Sequence, residues 1–226
     1  SKQTVNVNKL VLGEESKNKI INYIPHGIDH KEFFPIVKDS EDYSKFLDFK
    51  GNLFKGKDID FVVFFNSRNI HRKRPGDVVL AYKMFCDQIG PDAYKKCALV
   101  MHTNPIDNNG TDLTKIKEAL CEEDMNIYFS SEKLSPAQMN LLYNVADVTA
   151  LISSNEGWGL SLTESMMAGT MIIPNVTGGM QDQCRFTNEK GEWIDFDADF
   201  PSNHRGTYKD CGEWAEPVFP SNISLA

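Results

Sequence analysis

The apolar residues of this chain fall into five short runs separated by longer amphipathic stretches. Residues 59–65 (IDFVVFF) form the most hydrophobic run, and 98–103, 126–129, 148–152 and 170–174 repeat the pattern more weakly. Short runs with little polar alternation, bounded by turn residues, read as strands of a parallel sheet covered on both faces. Between them lie helical patterns. Residues 76–89 predict one helix, and 111–121 another, with Leu113, Ile116, Ala119 and Leu120 on one face. Ser135, Pro136 and Gln138 make a strong helix start (N-cap Ser, Pro at the first position, Gln at the third), and that helix runs to about residue 145. Residues 160–168 carry Leu160, Leu162, Met166 and Met167 at helical spacing and end at Gly169, where a C-cap is expected. Strand and helix alternate throughout. The fold class this predicts is α/β, a doubly wound, Rossmann-like parallel sheet over residues 59–185.

The flanks are less patterned. Residues 1–19 are polar, and 20–24 form a short strand candidate ended by Pro25, His26, Gly27, Ile28 and Asp29. Residues 38–58 read as a charged surface loop with a short helix at 43–47, and 186–226 as an irregular extension.

Composition narrows the function. The net charge of −8 argues against a nucleic-acid-binding face, which needs a basic surface. Five cysteines without a C-x-x-C spacing fit reduced thiols in a cytoplasmic compartment. No apolar run approaches the eighteen residues of a membrane span, and no signal peptide opens the sequence. Asp195, Asp197 and Asp199 alternate as metal ligands do, but the Gly and the distal Glu of a calcium loop are missing, so no metal is expected there.

The chemistry concentrates between Val148 and Asp182. A strand runs into the polar, Gly-punctuated loop 153–159, then a helix, then another strand. This loop lies at the carboxyl end of a parallel strand, where open α/β sheets bind ligands. The helix start offers free N–H groups and the positive end of a dipole, which suits a phosphate. Gly157 and Gly159 let a ligand approach the main chain. Glu164, in the first turns, leans back over that site and is suited to accept from two vicinal hydroxyls, as a ribose clamp does. A plainer reading competes: Ser161-x-x-Glu164 is also a capping-box pattern, in which Glu164 only stabilises its own helix.

Glu156 and Glu164, seven residues between them, with Gly157, Trp158, Gly159 and Leu160, resemble the nucleotide-sugar motif of retaining GT-B glycosyltransferases, the group 1 family. The resemblance implies that Glu156 faces the transferred sugar and Glu164 the ribose, while the backbone of Gly157 to Ser161 holds the diphosphate and sugar. Four other stretches extend it. Arg68 and Lys73 match the family's Arg-x4-Lys element, whose cations hold the donor diphosphate and stabilise charge on the departing nucleotide. Arg74 departs from the Gly common at its position, and His71, Arg72 and Arg74 read as surface residues. The loop 130–134, beginning at Ser130, takes the place of the segment that lies along the base. Gly178 and Gly179 match the usual Gly-Gly turn, and Pro25 to Asp29 the linker between the two Rossmann halves.

The resemblance covers about residues 20–185. It implies the donor-binding C-terminal half of a GT-B enzyme, a metal-independent hexosyltransferase without a cofactor, whose substrate is a nucleoside-diphosphate sugar. The acceptor, a glycan, lipid or small molecule, would bind in an N-terminal half that lies outside this sequence, and the chain looks truncated at both ends. Two alternatives stand beside this one: a nucleotide-sugar-binding module without transfer activity, and another GT-B enzyme such as a phosphorylase or an epimerase. A phosphorylase needs a pyridoxal-phosphate lysine, for which no signature is visible.

Overall fold

A computed structural model of the chain describes residues 1–194 and 208–220; Asp195, Asp197 and Asp199 lie outside the described residues. The elements in chain order are α1 (Lys2–Leu12), α2 (Tyr43–Leu53), β1 (Phe61–Asn66), α3 (Pro75–Ile89), α4 (Pro91–Tyr94), β2 (Cys97–His102), α5 (Leu113–Leu120), β3 (Asn126–Ser130), α6 (Pro136–Val145), β4 (Val148–Leu151), α7 (Leu160–Met167), β5 (Met171–Pro174) and α8 (Met180–Cys184). The five strands form one sheet in the order β3-β2-β1-β4-β5, and every pairing is parallel. The order reverses between β1 and β4, so the loops that follow these two strands face each other across the switch point of the sheet.

Both faces are covered, as the unbroken apolar runs require. Phe65, Leu99, Met101 and Ile127 pack under α3 and α5, with Val79, Tyr82 and Leu113. Val62, Phe64, Ala98 and Val100 pack on the other face against Leu142 and Tyr143 of α6 and Phe54 beside α2. Removing a Phe or Leu side chain from water contributes about 1.5–3 kcal/mol, so these two layers dominate the stability of the domain.

Several expectations change. Residues 20–24 form no strand, and 1–19 contain the helix α1, capped by the Ser1 hydroxyl. The segment 38–58 holds the three-turn helix α2 followed by the buried Phe54, which belongs to the core with Phe46, Phe49 and Leu53 packed against it, while Leu47 stays exposed. Phe54 meets Tyr128 edge-to-face at 5.4 Å. The described part of the C-terminal extension runs beside β5, with bridges from Ile172 to Ala215 and from Asn175 to Val218. It covers the outer edge of the sheet, which would otherwise present unpaired backbone groups. Its irregular sequence carries no period because the bridges are isolated and ask for no alternation.

Candidate donor site

The site sits above the carboxyl ends of β1 and β4. After β4 the chain makes the loop that carries Glu156, then turns at Gly159, whose φ of +89° suits a residue without a Cβ, into α7. Gly159 is the N-cap and no side chain caps the helix; Leu162 N–H turns back to the Gly159 carbonyl at 3.0 Å, which leaves the N–H groups of Leu160 and Ser161 at the open end. Ser161 therefore stands inside the helix and cannot be its cap. The capping-box reading of Ser161 and Glu164 falls on this placement.

Glu164 finds its partner elsewhere. It accepts the Tyr143 hydroxyl at 2.5 Å, and that hydroxyl accepts from Asn66 at 2.8 Å. Tyr143 is wholly buried, held edge-to-face against Phe64 and Phe33 at 5.2 and 5.9 Å. Burial raises the pKa of Glu164 above the ordinary value, and the Tyr143 bond only partly offsets it.

Glu156 is buried beside two cations. Lys73 makes an ion pair with its Oε1, and Arg72 reaches the same oxygen at 3.2 Å and the Asn155 carbonyl at 2.9 Å. Burial alone would raise the Glu156 pKa; the cations outweigh it and hold the carboxyl below its ordinary value. The backbone carbonyl of Arg72 accepts from Ser154 N–H at 2.8 Å, which joins the loop after β1 to the loop after β4.

Gly178 and Gly179 support this loop from behind. A Cβ at Gly178 would stand 2.1 Å from the Glu156 carbonyl oxygen, and one at Gly179 would stand 2.2 Å from that of Gly157. Gly179 N–H donates to the Glu156 carbonyl at 2.9 Å. Trp158 is buried, and its indole N–H donates to Thr163 at 2.8 Å.

These groups enclose one open cleft of about 440 Å³, lined among others by His26, Asn66, Lys73, Glu156, Trp158 and Glu164. Gly159, Leu160 and Ser161 line it too. Two positions expected in the site stand apart. Arg68 makes a two-point pair with Asp107, at 2.9 and 3.3 Å, on the exposed side of its loop. Ser130 bonds His102 at the end of β3. In turn, the site contains residues that pattern reading missed. Arg72 reads as surface and is half exposed, yet it pairs with Glu156; His26 belongs to the linker segment, and its ring lies 5.6 Å from that of Trp158; Tyr143 carries no signal in the sequence. Spacing could not reveal them, because each meets its partner across a long sequence separation. Among the described residues no cluster of three His, Cys, Asp or Glu is placed to hold a metal, and no helix is long and apolar enough to cross a membrane.

Residues 48–199 match the family model described as glycosyl transferases group 1. The chain belongs to that family. No curated protein sequence matches it. Solved structures share its fold at low identity. A C-terminal domain of a glycosyl transferase group 1 family protein from Francisella tularensis is 17% identical with a TM-score of 0.52, over 75% of this chain and 80% of that one. Sucrose-phosphate synthase from Thermosynechococcus elongatus is 19% identical with a TM-score of 0.55, over 81% of this chain and 46% of the other. The catalytic domain of starch synthase IV from Arabidopsis thaliana, bound to ADP and acarbose, is 18% identical with a TM-score of 0.56, over 89% and 41%. The sheet is thus the C-terminal, Rossmann-like half of a GT-B fold, and the chain spans less than half the length of those two synthases.

Proposed function

We propose that this chain is the donor-binding half of a retaining glycosyltransferase that takes a hexose from a nucleoside diphosphate. The observation that carries the reading is the enclosure of Lys73, Glu156, Glu164 and the uncapped start of α7 in one cleft at the switch point of the sheet. In this reading Lys73 and the first-turn amides of α7 hold the diphosphate, Glu164 accepts from the ribose hydroxyls, and Glu156 orients the sugar. Arg68 reaches the diphosphate by exchanging Asp107 for it.

The bond from the anomeric carbon to the diphosphate breaks with its electron pair going to the leaving group. Lys73 and the helix dipole stabilise the charge that develops there. Charge on the anomeric carbon passes through an oxocarbenium-like state, and the acceptor oxygen bonds on the same face while its proton passes to the departing diphosphate. The acceptor and any groups that activate it belong to the other half of the fold. Neither a metal nor a cofactor enters this reading, and the compartment is cytoplasmic.

Titration calorimetry of the chain with UDP, GDP and ADP tests the proposal. Binding of at least one, lost in Lys73→Ala, is expected. No binding of any of the three would overturn it.

A further inference from the structure

The strand register aligns three polar side chains at the carboxyl edge of the sheet. Asn66 pairs with His102, and His102 with Ser130, so the last residues of β1, β2 and β3 form one row. Residues in register on neighbouring parallel strands point to the same face. That face is the one packed by α6, since Phe64, Val100 and Tyr128, two positions earlier on each strand, pack there. The row begins at the candidate ribose carboxylate, because Asn66 lines the cleft and bonds the Tyr143 hydroxyl that holds Glu164. Neighbouring strands lie about 4.8 Å apart, so Ser130 lies roughly 10 Å from Asn66. A nucleoside covers a similar span from its ribose to the far edge of its base.

His102 occupies the middle of this row. It is half-buried, and its Nδ1 lies 3.0 Å from the Ser130 hydroxyl. Ser130 therefore fixes the ring through Nδ1. Burial lowers the His102 pKa, only partly offset by Ser130, which favours the neutral ring, whose Nε2 donates or accepts according to the tautomer that Ser130 selects. A neutral, oriented imidazole at that distance from the ribose carboxylate is suited to sort bases by the groups on their edges.

We propose that His102 is a specificity-determining residue that reads the base of the donor nucleotide. The inference rests on the donor-site reading above and adds to it a residue on β2, outside both carboxylate and cation motifs. Ser130 then acts through His102, fixing the ring.

The test compares five ligands by calorimetry on the whole chain: UDP, GDP, ADP, CDP and ribose 5-diphosphate, which keeps ribose and phosphates but has no base. The unmodified chain is expected to prefer one base by about tenfold or more, the worth of one well-placed hydrogen bond. His102→Ala should reduce that preference to about threefold or less and leave ribose 5-diphosphate binding unchanged. His102→Gln keeps bulk and polarity and carries the same comparison where the Ala variant fails to fold; a changed base preference with unchanged ribose 5-diphosphate binding is expected. Equal weakening of all five ligands, an unchanged preference in the variants, or no preference in the unmodified chain overturns the role of His102 while leaving the donor site standing. Failure of the unmodified chain to bind any of the five overturns the donor site, and this inference with it.

Discussion

Tyr143 holds Glu164 from beneath. Its hydroxyl, buried between α6 and the sheet, donates to one carboxylate oxygen at 2.5 Å and is itself fixed by Asn66 at 2.8 Å. A carboxylate that must meet two hydroxyls of a ligand gains from being held in one orientation before the ligand arrives. Burial and the facing carboxylate push the Tyr143 pKa well above its ordinary value, so the phenol keeps the proton it donates. Tyr143→Phe keeps the ring packing and removes this bond, leaving the Asn66 amide and one Glu164 oxygen without it. A loss of about 1–3 kcal/mol in unfolding free energy is expected. Nucleotide affinity should fall as well, read by denaturant melts and calorimetry on one preparation. Unchanged affinity in a folded variant would reduce Tyr143 to a core residue.

The environment of Glu164 also sets a pH dependence. Its pKa in the folded chain is raised by burial above the ordinary 4.5. Such a carboxyl opposes folding at pH values above the raised pKa. The opposition fades as pH falls through that value and is gone below the unfolded pKa. Glu164→Gln has no charge to bury. It should therefore be more stable than the parent at pH 7, with the gain shrinking as pH falls towards 4.5. Melting curves from pH 4 to 8 check it. A gain that grows on acidification would reverse the assigned sign.

The two cations of the Arg-x4-Lys element are expected to differ. Lys73 is largely buried against Glu156, whereas Arg68 is exposed and engaged with Asp107. Lys73→Ala should weaken a nucleoside diphosphate by about 1.5–3 kcal/mol, typical of a charged hydrogen bond, and barely affect the bare nucleoside. Arg68→Ala should weaken the diphosphate by less, since Arg68 must first leave Asp107. Calorimetry with both ligands decides. Larger loss from Arg68 than from Lys73 would mean that the cleft rearranges more on binding than this cluster suggests.

The close approach at Gly179 gives a sharper structural test. Gly179→Ala would place a methyl 2.2 Å from the Gly157 carbonyl oxygen, so backbone must move. A destabilisation of about 1–3 kcal/mol is expected from such overpacking. The displaced segment carries Glu156 and Trp158, so donor affinity should fall although position 179 touches no ligand. Ala at Gly51, where a Cβ would meet open space at an ordinary φ, serves as a comparison in which donor binding stays intact.

How much of this was legible in the sequence follows from how local each signal is. All five strands and the α6 start could be read directly, because apolar runs and a capping box are signals among near neighbours; the Ser135 and Gln138 bonds at α6 are those the pattern predicts. The same capping logic misled at Ser161. There Gly159 starts the helix two residues earlier, and Glu164 turns instead to a tyrosine 21 positions back. The helix α1 escaped because it has no buried residue and therefore little apolar contrast. Arg72 escaped because an arginine among cations reads as solvated. Only the fold brings it to Glu156, 84 positions on, across two strands that are adjacent in the sheet but not in the chain.

The role of Glu164 can be separated from every structural effect above by a double cycle. As a ribose clamp Glu164, which lines the cleft and commits one oxygen to Tyr143, accepts from both ribose hydroxyls. A 2′,3′-dideoxy nucleotide should then bind the unmodified chain markedly worse than the ribo form. In Glu164→Ala the two forms should bind about equally, because the acceptor for those hydroxyls is gone. The coupling between the residue and the hydroxyls should be about 1–3 kcal/mol. Stability changes cancel in this ratio, since both ligands are measured on the same folded variant. If Glu164 only anchors Tyr143, the ribo-to-dideoxy ratio will be the same in both proteins while the melting temperature shifts. That result would remove the ribose from this end of the cleft, and with it the link from Glu164 through Tyr143 and Asn66 to the row on which base recognition was argued.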